Sequence, residues 1–271
     1  MDEDSGRLRQ ADLPAVRSAI RSGRFHSHTA GLGSGFLQAN LAILPESAAL
    51  DFMRYCQRNP KPCPLVGVSD TGNPMMFTLG RDIDIRTDVP AYNLYRHGVL
   101  DSTLTDITSV WQDDFVAFAL GCSFTFEHAL MKAGIEIWHI QNDTTVPMFR
   151  SNIDTVPAGA FEGKMVVTMR ALPAAEAKLA TDISSRYPMA HGSPVHCGDP
   201  SRIGIDDLSL PDWGDPAPVP EGHVPVFWAC GVTPQVALER ARLPICITHK
   251  PGHMLITDVP DDAEVSAVPF L

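Results

Sequence analysis

Phe115-Val-Ala-Phe-Ala-Leu120 runs straight into Gly121-Cys-Ser123, and Phe124-Thr-Phe-Glu-His-Ala-Leu-Met-Lys132 follows without a break. Six apolar residues in a row read as a strand buried on both faces. The small residues after them make a turn, and the next stretch reads as a helix. Ile135-Glu-Ile-Trp-His-Ile140 then reads as the following strand. Strand, turn, helix and strand in that order is the grammar of an α/β sheet.

The same texture extends to both sides. Upstream, Asp12-Leu13-Pro14 opens a helix that runs to about Gly23, with Asp as N-cap and Pro in the first turn. Residues 29–36 are too glycine-rich for regular structure, and Gln38-Ala-Asn-Leu-Ala-Ile-Leu44 is short and apolar. Ala49, Phe52, Met53 and Cys56 recur at helical spacing until Asn59-Pro60 stops them. Pro60, Pro62 and Pro64 hold residues 61–68 extended. Residues 82–90 alternate polar and apolar, as a strand or an extended loop does. From Gln141 the texture changes. Residues 146–153, 164–172 and 193–197 read as strands, 173–186 as a helix, and 198–222 as a long Pro-, Gly- and Asp-rich loop. After it, strands at 224–229, 245–249 and 254–258 flank a helix capped by Thr233-Pro234. The expected fold is α/β. A main three-layer α/β domain with a mixed sheet comprises residues 1–140 and 223–271, and a smaller two-layer α+β domain is inserted at 141–222.

Lys and Arg number 21 against 32 Asp and Glu, a formal charge of −11. A field of that sign repels nucleic acid and anionic membrane, and no basic run offsets it. No stretch is apolar for the ~20 residues a membrane helix needs. Residues 1–10 are polar, with no hydrophobic signal-peptide core behind them. The six cysteines contain no Cys-x-x-Cys pair, which argues against a zinc ribbon or redox motif. A reduced, cytoplasmic protein is expected, most of its thiols serving as small core side chains. A symmetric homo-oligomer is the default expectation for an enzyme of this size.

Eight phrases in order carry a specific resemblance. They are Gly35-Phe-Leu-Gln-Ala-Asn-Leu41, Asn59-Pro-Lys-Pro-Cys-Pro64, Asp84-Ile-Arg-Thr-Asp-Val-Pro90 and Gly121-Cys-Ser-Phe-Thr-Phe-Glu127. The series goes on with Val146-Pro-Met-Phe-Arg-Ser-Asn152, His191-Gly-Ser-Pro-Val-His196, Phe227-Trp-Ala-Cys-Gly-Val-Thr-Pro-Gln235 and Thr248-His-Lys-Pro-Gly-His-Met254. Together they resemble the D-glutamate cyclase family of hydro-lyases, with Phe149 standing where a Tyr is usual. The resemblance implies a soluble α/β fold and cyclisation of D-glutamate to 5-oxo-D-proline with loss of water.

That reaction needs a base for the amine, help for a poor carboxylate electrophile, and a charged anchor for the other carboxylate. Gly121-Cys122-Ser123 with Glu127 is the richest candidate. A helix start behind a small-residue turn favours anions and lowers a thiol's pKa. Ser123 and Cys122 are therefore candidates for carboxylate support or nucleophile, and Glu127 for base. The structural alternative makes Glu127 a helix cap and Cys122 a core residue. His249 and His253 flank a Lys250-Pro251-Gly252 turn, as acid/base groups or as backbone-bonded loop residues; His191 and His196, with Asp199, form a second pair. Arg86 and Arg150 are the expected anchors. Asn40 and Asn59 are candidate substrate-binding amides, though satisfied core amides explain them equally well. The sequence requires no cofactor and leaves a divalent metal open. Two other functions fit the same residues: a Cys122-dependent amidase or lactam hydrolase, and a non-catalytic carboxylate-binding protein of 5-oxoproline metabolism. Gly31-Leu-Gly-Ser-Gly35 has neither P-loop nor dinucleotide spacing.

Overall fold

Phe36–Pro45 (β1) is the strand around which the larger sheet is built, and all but its two end residues are buried. In this computed structural model, which describes residues 7–262, β1 pairs with Phe115–Gly121 (β5) from Ala39↔Gly121 to Pro45↔Phe115. Its other edge is shared by Cys246–His249 (β10) and Leu255–Pro260 (β11). Leu65–Val68 (β2) lies outside β5, and a hairpin of Tyr92–Arg96 (β3) and Val99–Leu104 (β4) lies outside β10. The smaller sheet runs Met148–Asp154 (β6), Lys164–Pro173 (β7), His223–Ala229 (β9), His196–Cys197 (β8). The sequence starts and ends outside the described residues, so the polar stretch 1–10 and the end of the main domain are only partly among them.

The α/β class stands, with a point of difference in strand direction. Every ladder among the described residues is antiparallel, where a mixed main sheet was expected. Residues 135–140 explain part of this, because they form no strand. Trp138–Gln141 is a short helix (α4), and Ile135 and Ile137 are buried against Phe126, Leu130 and Trp228. Their period-2 spacing feeds a core contact instead of a ladder. Residues 82–90 are likewise turns rather than a strand, with one bridge at Met75↔Asp84. Ile83 and Ile85 are fully buried on the larger sheet, while Asp82, Asp84 and Arg86 face outward. The second sheet takes in β9, one strand past residue 222.

Helices cover the sheets where their apolar faces require it. Leu13–Arg21 (α1), capped by Asp12 accepting from Ala15 N at 2.9 Å, lays Val16, Ala19 and Ile20 on Ile256. Glu46–Arg58 (α2) packs Phe52 edge-on to Phe118 and Phe161, at centroid distances of 4.9 and 5.2 Å. Phe124–Lys132 (α3) leaves the larger sheet at the end of β5 and packs Phe126 and Leu130 with Ala174–Ser184 (α5) on the smaller one. Thr233–Ala241 (α6) returns from β9 to the larger sheet. The starts of α3 and α6 therefore meet where the two sheets abut.

Candidate active site

The alternation of β7 puts Val166, Thr168 and Arg170 on one face. Arg170 is 3% exposed, in a chain position where an unpaired charge would be prohibitive. Its Nε donates to Glu127 Oε1 at 3.0 Å, its Nη1 to Thr168 Oγ1 at 3.1 Å, and its Nη2 to Ser123 Oγ at 3.0 Å and to Glu127. The guanidinium also lies over the rings of Phe126 and Trp228, 5.4 and 5.3 Å from their centroids. His139 Nε2 approaches Glu127 Oε1 at 3.0 Å. Burial opposes ionisation of Glu127, but His139 and Arg170 outweigh it and hold the carboxyl down to about 2. Glu127 is thus a permanent carboxylate that locks Arg170, and a poor acceptor of protons near neutral pH.

In front of Arg170 lies a cavity of about 20 Å³, lined by Asn40, Cys122, Ser123, Thr168, His191 and His249 together with the Cys230–Val232 turn and Gly252. That volume holds a water-sized occupant, far less than an amino acid. Ser123 and Thr168 both accept from Arg170, so each hydroxyl keeps its own proton for an acceptor in the cavity. The first turns of α3 and α6 border the same space, adding the positive ends of two helix dipoles. Two glycines make the approach possible. A Cβ on Gly121 would stand 1.5 Å from the Met189 carbonyl oxygen, and one on Gly231 would stand 2.0 Å from Asn40 Nδ2.

The imidazoles are neutral, each because burial lowers its pKa. His249 is held down to about 3; its Nδ1 takes the Leu41 N–H at 3.1 Å, and Gln235 Nε2 sits 3.3 Å from both ring nitrogens. His191 and His253 are each held down to about 4. His253 lies outside the cavity, in a groove of about 760 Å³ that also takes Thr145, Trp213 and Lys250. Gly252 and Val146 face the cavity while their neighbours His253 and Thr145 face the groove, so the wall between the two is one residue thick.

These histidines set an acid limit on stability. Unfolded, they titrate near 6.5; folded, they refuse protons down to about 4, 3 and 4 for His191, His249 and His253. Their contribution is complete above about pH 6.5 and is lost as pH falls below it. Glu127 acts in the same direction lower down, its contribution present above 4.5 and lost towards about 2. The urea midpoint is expected to fall between about pH 7.5 and pH 5; a flat profile would contradict buried neutral imidazoles.

The structure brings Asn40, Cys122, Ser123 and His249 to one cavity, with Glu127 behind it, and leaves the others elsewhere. Burial pushes the Cys122 thiol far up, and Cys230 up to about 11, so neither is a thiolate at neutral pH. Arg86 pairs with Asp84 at 2.7 Å on the outer loop. Arg150, 47% exposed, pairs with Asp212 at 3.3 Å and lies 4.7 Å over Trp213. Neither arginine lines the cavity. Asn59 brackets two segments: its Nδ2 donates to Tyr55 O and Val156 O at 2.8 Å, and its Oδ1 accepts from Val156 N at 2.8 Å. Asn59→Ala is expected to cost about 1–3 kcal/mol of stability in urea melts, by leaving those buried groups unpaired. Asn40 Nδ2 donates to Leu120 O at 3.1 Å and Gly121 O at 2.9 Å, leaving its carbonyl end at the cavity. His196, its ring bonded to Asp199 O at 2.7 Å, lies apart from His191. The residues missed by sequence reasoning are Arg170, Thr168 and His139. A signal for Arg170 was there: a lone arginine in the apolar run Met165-Val-Val-Thr-Met-Arg-Ala-Leu172 is buried only if paired. Among the described residues, no three His, Cys, Asp or Glu side chains are grouped to hold a metal ion.

The family described as D-glutamate cyclase matches residues 116–258, more than half of the chain and all of the cavity except Asn40. This chain belongs to the D-glutamate cyclase family. Relatives of near full length carry the name "Putative hydro-lyase". One from Dinoroseobacter shibae is 73% identical over 258 residues, covering 95% of this chain and 86% of the relative. One from Ruegeria pomeroyi is 72% identical over 97% of this chain and 95% of its own. A more distant one from Bacillus subtilis is 51% identical over 92% of this chain and 96% of its own. Among the described residues of this chain no helix is long and apolar enough to cross a membrane.

Proposed function

We propose that this protein is a carbon–oxygen lyase acting on a small amino or hydroxy acid, with cyclisation of D-glutamate to 5-oxo-D-proline and water as its reaction. The observation that carries the reading is the pair of hydroxyls, Ser123 and Thr168, both accepting from Arg170 and both lining the cavity. They offer two polarised O–H donors to one carboxylate, in a chain whose net charge of −11 would otherwise repel it. Arg170 supplies the anchor expected of Arg86 and Arg150, acting through the hydroxyls. The helix starts at α3 and α6 stabilise charge on the second carboxyl. Admission of substrate requires the thin wall at Thr145 and Gly252 to open towards the groove, as gated sites do.

Acyl transfer through Cys122 is the weaker alternative, since a buried, protonated thiol is a poor nucleophile. The reading requires that purified protein convert D-glutamate to 5-oxoproline and leave L-glutamate unchanged. It also requires product to bind at the two hydroxyls. Saturation with 5-oxo-D-proline at about 100 times its Kd should stabilise the fold by about 2.7 kcal/mol. The double variant Ser123→Ala/Thr168→Val should lose most of the accompanying rise in Tm. A full shift in that variant would remove the hydroxyls from the binding site.

A further inference from the structure

His191 is a non-glycine residue at φ +75°, in the left-handed region, at the end of the 188–190 turn. A backbone held there is costly for an ordinary residue and persists where surroundings impose it. Two residues before it, the Met189 carbonyl packs against Gly121 at a distance that no side chain permits. The His191 imidazole is 3% exposed with its ring at the cavity. His191 Nδ1 lies 2.8 Å from the Lys61 carbonyl oxygen. A carbonyl only accepts, so in the neutral ring Nδ1 carries the hydrogen and Nε2 carries the lone pair.

Neither of the other two candidate imidazoles combines a carbonyl-bonded Nδ1 with a free Nε2 at the cavity. The ring of His249 is engaged by Leu41 N and Gln235 Nε2. His253 stands in the outer groove, bonded to the Pro251 carbonyl at 3.0 Å. Among the described residues, His191 Nε2 has no hydrogen-bond partner.

Resting on the hydro-lyase reading, we infer that His191 is the catalytic residue whose Nε2 takes the substrate's amine proton and returns it to the departing oxygen. The ammonium group gives one proton to Nε2, and the freed nitrogen lone pair forms the C–N bond at the side-chain carboxyl carbon. The imidazolium passes that proton to a carboxyl oxygen. A second N–H proton follows by the same route, the C–O bond breaks with its electron pair leaving on oxygen, and water departs. The remaining N–H is that of the lactam. Burial and the nearby cationic Lys61 and Arg170 keep the empty ring neutral. An anionic substrate beside it raises its basicity, and the imidazolium so formed is a strong acid for the leaving oxygen.

His191→Asn isolates Nε2. The Asn side-chain N–H reproduces the bond to Lys61 O, and Asn tolerates the left-handed backbone. The variant is expected to fold, to keep the Tm rise with 5-oxo-D-proline, and to lose about 10²–10⁴-fold in kcat. Wild-type turnover with kcat retained in His191→Asn overturns the assignment and leaves the hydro-lyase reading intact. Nitrogen-15 spectra of the histidine-labelled protein, with the His191 signals identified by their loss in the variant, test it without turnover. A protonated Nδ1 and a bare Nε2 that shifts on adding 5-oxo-D-proline support it. A proton on Nε2 overturns it even if D-glutamate proves not to be the substrate, and so does the absence of a shift once a Tm rise has shown that 5-oxo-D-proline binds.

Discussion

Arg170→Met is expected to lower the unfolding free energy by about 3–5 kcal/mol, because it leaves Glu127 as a buried carboxylate without its main partner. Methionine fits the slot between Phe126 and Trp228, so lost packing is a minor part of the effect. Glu127 has no alternative in water: it is 1% exposed, and its Oε2 already lacks a protein partner. Removing the guanidinium therefore drives Glu127 to bind a proton, and the destabilisation should shrink as pH falls below about 5. The double variant Arg170→Met/Glu127→Gln should recover a substantial part of the loss, since it removes both charges together. Urea melts of the three proteins check this. A loss below about 1 kcal/mol for Arg170→Met would mean that the pair is hydrated rather than buried.

Gly121→Ala should abolish folding or cost at least about 3 kcal/mol, the upper end of what overpacking does, since the obstacle is backbone and cannot rotate away. The added Cβ would lie 1.5 Å from Met189 O and 2.7 Å from Met189 C. Either β5 or the 188–190 turn must then shift, and each carries a wall of the cavity. Gly163→Ala serves as control: its Cβ would meet only Val236 Cγ1 at 3.3 Å and Arg240 Cδ at 3.7 Å. It is expected to change stability by no more than about 1 kcal/mol. Comparable stability for both variants by thermal melts would contradict the close approach of Met189 to β5.

Much of this was legible in the sequence because the local signals agreed with the fold. The run 115–120 is a fully buried strand, and helices begin within a residue of the signals at Asp12 and Thr233-Pro234, although only Asp12 caps its helix; the Thr233 hydroxyl accepts from Val166 N of β7 instead. The β3–β4 hairpin went unread, although His97-Gly98, both at positive φ, is a turn pair of the kind hairpins use. Period-2 alternation misled at 135–140 and left strand and loop open at 82–90; in both places apolar residues reach a core from a loop or a short helix. Alternation reports which side is buried and says nothing of hydrogen-bond partners.

The site was legible in part for a related reason. Cys122, Ser123 and Glu127 lie in one short phrase at a strand end, where geometry follows from sequence. Arg170 and His191 lie 43 and more residues away in sequence from Glu127, and only the meeting of two sheets brings them together. The anchors expected from Arg86 and Arg150 rested on their charge and their place in the resembling phrases, and both are spent on other carboxylates, Asp84 and Asp212. An arginine beside an Asp two residues away is cheaply paired at the surface, whereas one inside an apolar strand must be paired at depth.

A proton NMR time course of purified protein with D-glutamate, with L-glutamate as control and with and without added divalent metal, tests the central claim most directly. The account predicts 5-oxoproline signals from the D form alone, and the arms with and without added metal show whether a divalent ion assists. Unchanged D-glutamate after prolonged incubation of folded protein would contradict the assignment of this reaction to the cavity.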